Sequence, residues 1–438
     1  MIGRASVLFE PGRHEPLTQL AWDESRARAL IARIAADAAA RFLDGLVRPV
    51  HPRDGAPARE LHGELYHGAG GVLWALYHLH ALGATGARID SAMVDATLRR
   101  HRDWQASFGG TEFASYLMGD IALLLLGYDL EPTEALADRI EALIRGNMRH
   151  PARELMWGAP GTMLVALFLA RHTHDERWSE LFCATARALA SELEWSTEHA
   201  CHFWTQDLYG RRSTFIDAVH GFAGTAAVVV RGRDLLPADE WRQWEQRIEN
   251  TVARTATVEG DLANWRTYLI QPEDTPPRVL MQFCHGAPGF VISLAALPGP
   301  ALDRLLLAGG EATWAAGPLL KGANLCHGTG GNGYAFLKLF RRSGDERWLT
   351  RARAFAMHGI VQCERDGVRF GQLHASLWTR RPRVRDLPLE LHRGRRCLPV
   401  PRRVLRAVLT AGVSRRRRAA RRETASSAMP TRGRRRRP

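Results

Sequence analysis

Phe283-Cys284-His285-Gly286-Ala287-Pro288-Gly289 and Leu325-Cys326-His327-Gly328-Thr329-Gly330-Gly331 share one plan: a Cys-His pair, a glycine-rich turn, then an apolar run. The glycines mark a tight turn, and the apolar run behind each reads as a helix. A side chain held just ahead of such a helix sits near its positive dipole end, which favours thiolate over thiol. Two thiolates and an imidazole converging on one point would form a zinc site with room for a fourth, exchangeable ligand. The competing reading makes the cysteines small buried hydrophobes, since the chain contains no Cys-x-x-Cys pair.

Outward from these two turns the plan recurs without cysteine. The further copies are Tyr66-His67-Gly68-Ala69-Gly70-Gly71, Leu117-Met118-Gly119-Asp120, Met156-Trp157-Gly158-Ala159-Pro160-Gly161 and Val219-His220-Gly221-Phe222-Ala223-Gly224. Intervals of about 40 to 65 residues between leading glycines suit one helical hairpin per repeat. Residues 72–79, 162–170 and 290–297 are apolar nearly all round, the mark of buried helices. Residues 24–44 and 133–148 are one-faced, with stripes such as Leu136, Ile140, Leu143 and Ile144. The β-branched run at 226–230 follows a turn that elsewhere opens a helix. Buried helices alternating with surface helices predict an all-α protein, an α/α toroid with an inner ring inside an outer ring. The glycine turns would gather at one end of that barrel and build the site together.

A seventh copy is due near residue 380, where the chain reads His374-Ala375-Ser376-Leu377-Trp378-Thr379-Arg380-Arg381 and no glycine turn follows. The expectation is a repeat barrel over residues 1–379 whose last repeat is incomplete. Residues 380–438 hold 21 arginines, no lysine and three acids, a net of +18 that leaves −4 for residues 1–379. GC-rich codons read out of frame would give such usage. This tail is therefore expected to be disordered and to supply no inner helix. The +14 of the whole chain is a property of the tail, so specific nucleic-acid binding by the body is not expected.

Six scattered cysteines suit a reducing compartment better than a disulfide framework. No charge-free apolar run is long enough to cross a bilayer, and residues 1–10 lack the pattern of a signal peptide. The expectation is a cytoplasmic chain.

The turns resemble those of the lanthionine synthetase C-like family, most specifically at Cys284-His285-Gly286-Ala287-Pro288-Gly289 and Asn324-Leu325-Cys326-His327-Gly328. The resemblance covers about residues 60 to 379 and lies nearer the eukaryotic glutathione-binding members than the lantibiotic cyclases. It implies a sevenfold α/α barrel and one zinc ion held by Cys284, Cys326 and His327. It further implies a general acid at His220, a second catalytic residue, acidic, at Glu154, and substrate contacts at Lys321 and Ser376. His67 and His285 would hydrogen-bond near the site without touching the metal. Two departures stand against dedicated lantibiotic cyclisation: Leu280 occupies the place of a cyclase arginine, and the string Ser376-Leu377-Trp378-Thr379 ends in Arg380 where the family has glycine.

The chemistry that follows is thiol activation, because little of a free thiol is ionised at neutral pH. A zinc-activated thiolate would add to the β-carbon of a dehydroalanine or dehydrobutyrine residue, and His220 would protonate the α-carbon. The product is a thioether, either lanthionine within a thiol-bearing peptide or an adduct of glutathione. Asp217, three residues before His220, is a candidate to orient that imidazole. A non-catalytic zinc- or glutathione-binding regulator would use the same residues. A toroid glycosidase would instead need paired carboxylates at the barrel mouth.

Overall fold

The computed structural model describes residues 8–47, 51, 63–107, 113–208 and 210–374. Among them thirteen α-helices follow in chain order: α1 (Glu24–Ala40), α2 (Ala69–Ala81), α3 (Ser91–Ala106), α4 (Ile121–Leu130), α5 (Glu134–Asn147), α6 (Ala159–Thr173), α7 (Glu176–Ser191), α8 (Phe222–Arg231), α9 (Ala238–Thr255), α10 (Ala287–Leu294), α11 (Asp303–Ala316), α12 (Thr329–Ser343) and α13 (Glu346–Phe370).

Their burial sorts them by parity. Every residue of α10 is buried, as are Ile121 to Leu126 of α4 and Phe222 to Val230 of α8. The odd helices bury one stripe each; α5 hides Ala137, Ile140 and Ile144 and shows its charged face to water. Each even helix packs against the next, from α2 through α12, while the odd helices pack outside them. The fold is an α/α toroid of helical hairpins. α1 touches both α13 and α2, so it fills the outer-ring position between the last and first repeats. The inner partner of α1, the seventh repeat foreseen near residue 380, lies outside the described residues, as do Ser376 and the arginine-rich segment.

The two rings start their helices differently. Asp23, Asp90, Thr133, Asp175 and Asp345 cap outer helices with their own side chains. Inner helices α2, α6, α8, α10 and α12 start at a glycine that offers no side chain. Two glycines explain this. Gly286 has φ of +106°, a backbone region that L side chains avoid, and a Cβ on Gly328 would collide with the carbonyl of Gly322. The chain doubles back over the first turn of its own helix too closely for any side chain.

Among the described residues four short antiparallel hairpins, unforeseen in the periodicity, lie on connections from an outer helix toward the next inner one. They pair β1 (Phe42–Leu43) with β2 (Leu46–Val47), β3 (Glu194–Ser196) with β4 (Cys201–Phe203), β5 (Gln206–Leu208) with β6 (Arg211–Ser213), and β7 (Ala256–Glu259) with β8 (Leu262–Trp265). The first corrects the reading of one helix over 24–44. Asp44 and Gly45 both take positive φ and make the two-residue turn between Leu43 and Leu46. The run at 226–230 is helical, inside α8.

Candidate metal centre

Counting back from the leading glycine aligns all six turns. Four residues before it stand Glu64, Ser115, Glu154, Asp217, Gln282 and Asn324; two before it Tyr66, Leu117, Met156, Val219, Cys284 and Cys326. In five turns the side chain at the first of these positions accepts the N–H of the residue just ahead of the glycine. The pairs are Glu64 with His67, Ser115 with Met118, Glu154 with Trp157, Asp217 with His220, and Asn324 with His327. In the fifth turn Gln282 turns away, and Asn264 of β8 serves the helix start by accepting the Ala287 N–H at 2.6 Å. Neighbouring turns are stitched at the second position, by Tyr66 N–H to the Leu117 carbonyl (3.0 Å) and Cys284 N–H to the Cys326 carbonyl (3.3 Å).

This register brings Cys284, Cys326 and His327 together, each offering one ligand atom, all within 4.8 Å of one another. Both cysteines are free thiols and buried, and His327 is half-buried. The Cys326 Sγ stands 3.9 Å from His327 Nε2. The two sulfurs behave as a pair competing for one negative charge. Burial pushes the Cys284 thiol well up, and the neighbouring Cys326 sulfur pushes it further. Burial also opposes ionisation of Cys326, but a hydrogen bond from Cys284, the His327 charge and the Tyr66 hydroxyl hold that thiol well below its usual value. The helix dipole alone would favour both thiolates; the contact between the sulfurs instead favours ionisation of Cys326 over Cys284. A dication relieves that competition, and two soft sulfurs with an imidazole are a donor set that suits zinc with a position left open.

Beside the sulfurs stand two carboxylate–imidazole pairs. Glu154 Oε2 lies 3.0 Å from His220 Nδ1, and Asp217 Oδ2 lies 2.8 Å from His285 Nδ1, with both carboxylates fully buried and the imidazole rings 6.4 Å apart. Burial works against the charged form of His220, yet the Glu154 hydrogen bond and charge, with lesser help from Asp217 and Cys326, hold its pKa above the ordinary histidine value. Burial raises the Glu154 pKa, and the His220 contact only partly offsets it. Burial likewise opposes the Asp217 carboxylate, but the His285 charge and hydrogen bond carry its pKa below the usual range. Asp217 therefore orients His285 and accepts the His220 backbone N–H, while Glu154 is hydrogen-bonded to the His220 ring. Both carboxylates hold histidines and backbone amides, an arrangement unlike the open acid pair of a glycosidase.

Lys321 lies in the loop ahead of α12. Burial and the positive charges of Arg13 and Arg278 hold its pKa below the usual lysine value, while the Cys284 and Cys326 sulfurs act in the opposite sense. Three residues escaped the sequence reading: Tyr66, whose hydroxyl is 3.2 Å from Cys326 Sγ; Gln282, whose amide Nε2 is 3.0 Å from Cys284 Sγ; and Asn264. The first two were within reach, because Tyr66 occupies the cysteine position of its own turn and Gln282 the acid position of its turn. Asn264 acts across 23 residues of sequence, and no local pattern announces it.

Residues 59–365 match the sequence model of the family described as lanthionine synthetase C-like protein, and the chain belongs to that family. It is 29% identical over 212 residues to LanC-like protein GCL1 of Arabidopsis thaliana, covering 47% of this chain and 46% of that protein. It is 23% identical over 309 residues to Glutathione S-transferase LANCL1 of Danio rerio, covering 66% of this chain and 73% of that protein. The matched stretch thus spans just under half the length of the first relative and nearly three quarters of the second.

Proposed function

We propose that the chain is a zinc-dependent enzyme that adds a thiol, glutathione or a peptide cysteine, to a dehydroamino acid and so forms a thioether. The observation that carries this is the cluster of two free buried thiols and His327 set beside the His220–Glu154 pair. Bound by Cys284, Cys326 and His327, zinc would supply the Lewis acidity that keeps a substrate thiol deprotonated at neutral pH. The rest falls to this chain's side chains. Glu154 fixes the His220 ring and favours its protonated form, leaving it ready to deliver a proton to the α-carbon as the new sulfur–carbon bond forms at the β-carbon. Lys321 offers a cation near the sulfurs for a carboxylate of the incoming thiol compound. Ser376 is retained as a substrate contact on the resemblance alone. The name of the Danio rerio relative, Glutathione S-transferase LANCL1, supports glutathione as the thiol. A reducing cytoplasm is the compartment in which such a site would persist.

The test incubates purified zinc-loaded protein with glutathione and a short dehydroalanine peptide and follows the adduct by mass spectrometry. An adduct whose formation needs the protein and is abolished by a zinc chelator is expected. A rate equal to that of the protein-free mixture contradicts the enzymatic reading and leaves a binding protein.

A further inference from the structure

Each sulfur at the proposed metal centre is met by one buried neutral donor. The Tyr66 hydroxyl lies 3.2 Å from Cys326 Sγ, and the Gln282 amide Nε2 lies 3.0 Å from Cys284 Sγ. Tyr66 and Gln282 are 7% and 2% exposed. The two donors come from different repeats. Gln282 belongs to the same turn as its sulfur, whereas Tyr66 reaches from the first turn to the sixth, 260 residues away in sequence. Neither is needed to shape its turn: Glu64 accepts the backbone N–H in the first, and Asn264 serves the helix start in the fifth.

The chemistry gives these contacts a purpose. A site that holds a reactive alkene next to thiolates exposes its own two cysteines to the same addition it performs on the substrate. Attack by a protein sulfur would form an Sγ–Cβ bond, break the alkene π-bond and take a proton from water at the α-carbon, destroying the site. A hydrogen bond donated to a metal-bound thiolate draws charge from sulfur, and sulfur nucleophilicity falls with basicity. We propose that Tyr66 and Gln282 protect Cys326 and Cys284, respectively, from alkylation by the electrophilic substrate, so that the substrate thiolate is the most nucleophilic sulfur present. The inference rests on the metal-centre reading above, and both residues act as positioning residues through the ligands.

The experiment uses the zinc-loaded full chain and acrylamide, a small Michael acceptor, with alkylation of each cysteine followed by peptide mapping. Zinc content is measured on every sample. Tyr66→Phe, which removes a single oxygen, should speed alkylation of Cys326 about fivefold, the weight of roughly one hydrogen bond, and leave Cys284 unchanged. Gln282→Met should do the reverse. A loosened fold would speed both cysteines together, and would speed Cys183 and Cys201 as well. Equal acceleration of both sulfurs, or none, in zinc-loaded variants overturns this inference alone. A wild-type chain that binds no zinc overturns the metal centre and this inference with it.

Discussion

In the proposed reaction His220 carries the greatest chemical burden of any side chain outside the sulfur cluster. Burial works against its charged form, but the Glu154 carboxylate at 3.0 Å, with the Asp217 and Cys326 charges, raises its pKa above the ordinary histidine value. A His220→Asn variant is expected to keep its zinc and lose turnover by about 10²-fold or more, the usual weight of a general acid. Loss of metal together with activity, read by elemental analysis, would make the residue a structural prop. The pH profile tests the partner. A general acid works in its protonated form, so kcat should fall as pH rises through the His220 pKa. Glu154→Gln removes the carboxylate that raises this pKa, so the alkaline limb should move to lower pH. An unmoved limb would detach Glu154 from the proton transfer.

The turns and their helices determine whether the sulfurs meet at all. Gly331 lets the first turn of α12 pass under the Leu325 carbonyl, next to Cys326. Gly331→Ala should therefore destabilise by about 2–4 kcal/mol and lower zinc retention, measurable as a drop in Tm and in metal content. A second element-level test lies between α3 and α4. His101 is fully buried against Gln105 and Asp120, and burial drives its pKa down to about 3. Unfolded chains take up this proton near pH 6.5 and the folded chain does not, so stability should fall as pH drops from 6.5 toward 3. The contribution at pH 5 is about 2 kcal/mol, and His101→Gln should flatten that slope in urea titrations. The turns were also the part of the fold most legible in the sequence, because glycine spacing and apolar helices follow from steric and burial rules local to each repeat. The Asp44-Gly45 hairpin was equally local but was absorbed into the helical stripe before it. Contacts between turns are a different matter. Asp217 stands three residues from His220, and proximity in sequence paired them, yet its second oxygen faces His285 across the ring. Tyr66 against Cys326 joins the first turn to the sixth across 260 residues, and Asn264 against Ala287 depends on a connection folding back over 23 residues; neither follows a local periodicity.

Across the whole molecule, six inner helices and seven outer ones stand among the described residues, with α1 filling the outer gap between α13 and α2. The N-terminal segment ties α13 to the connection between α11 and α12: Glu15 meets His358 at 3.0 Å and Gln362 at 2.7 Å on α13, and His14 binds the Gly317 carbonyl at 2.9 Å. From its composition alone, segment 380–438 should be trimmed by limited proteolysis with cleavage stopping near residue 379. Resistance of that segment would point to a genuine closing repeat. The ring as a whole exists, in this reading, to bring two turns' sulfurs and one imidazole to a single ion. The most direct measurement is therefore the zinc content of the purified chain beside that of a Cys284→Ala, Cys326→Ala double variant. One zinc per wild-type chain and almost none in the variant are expected, since an imidazole alone is a poor site. Stoichiometric zinc retained by the double variant would contradict it.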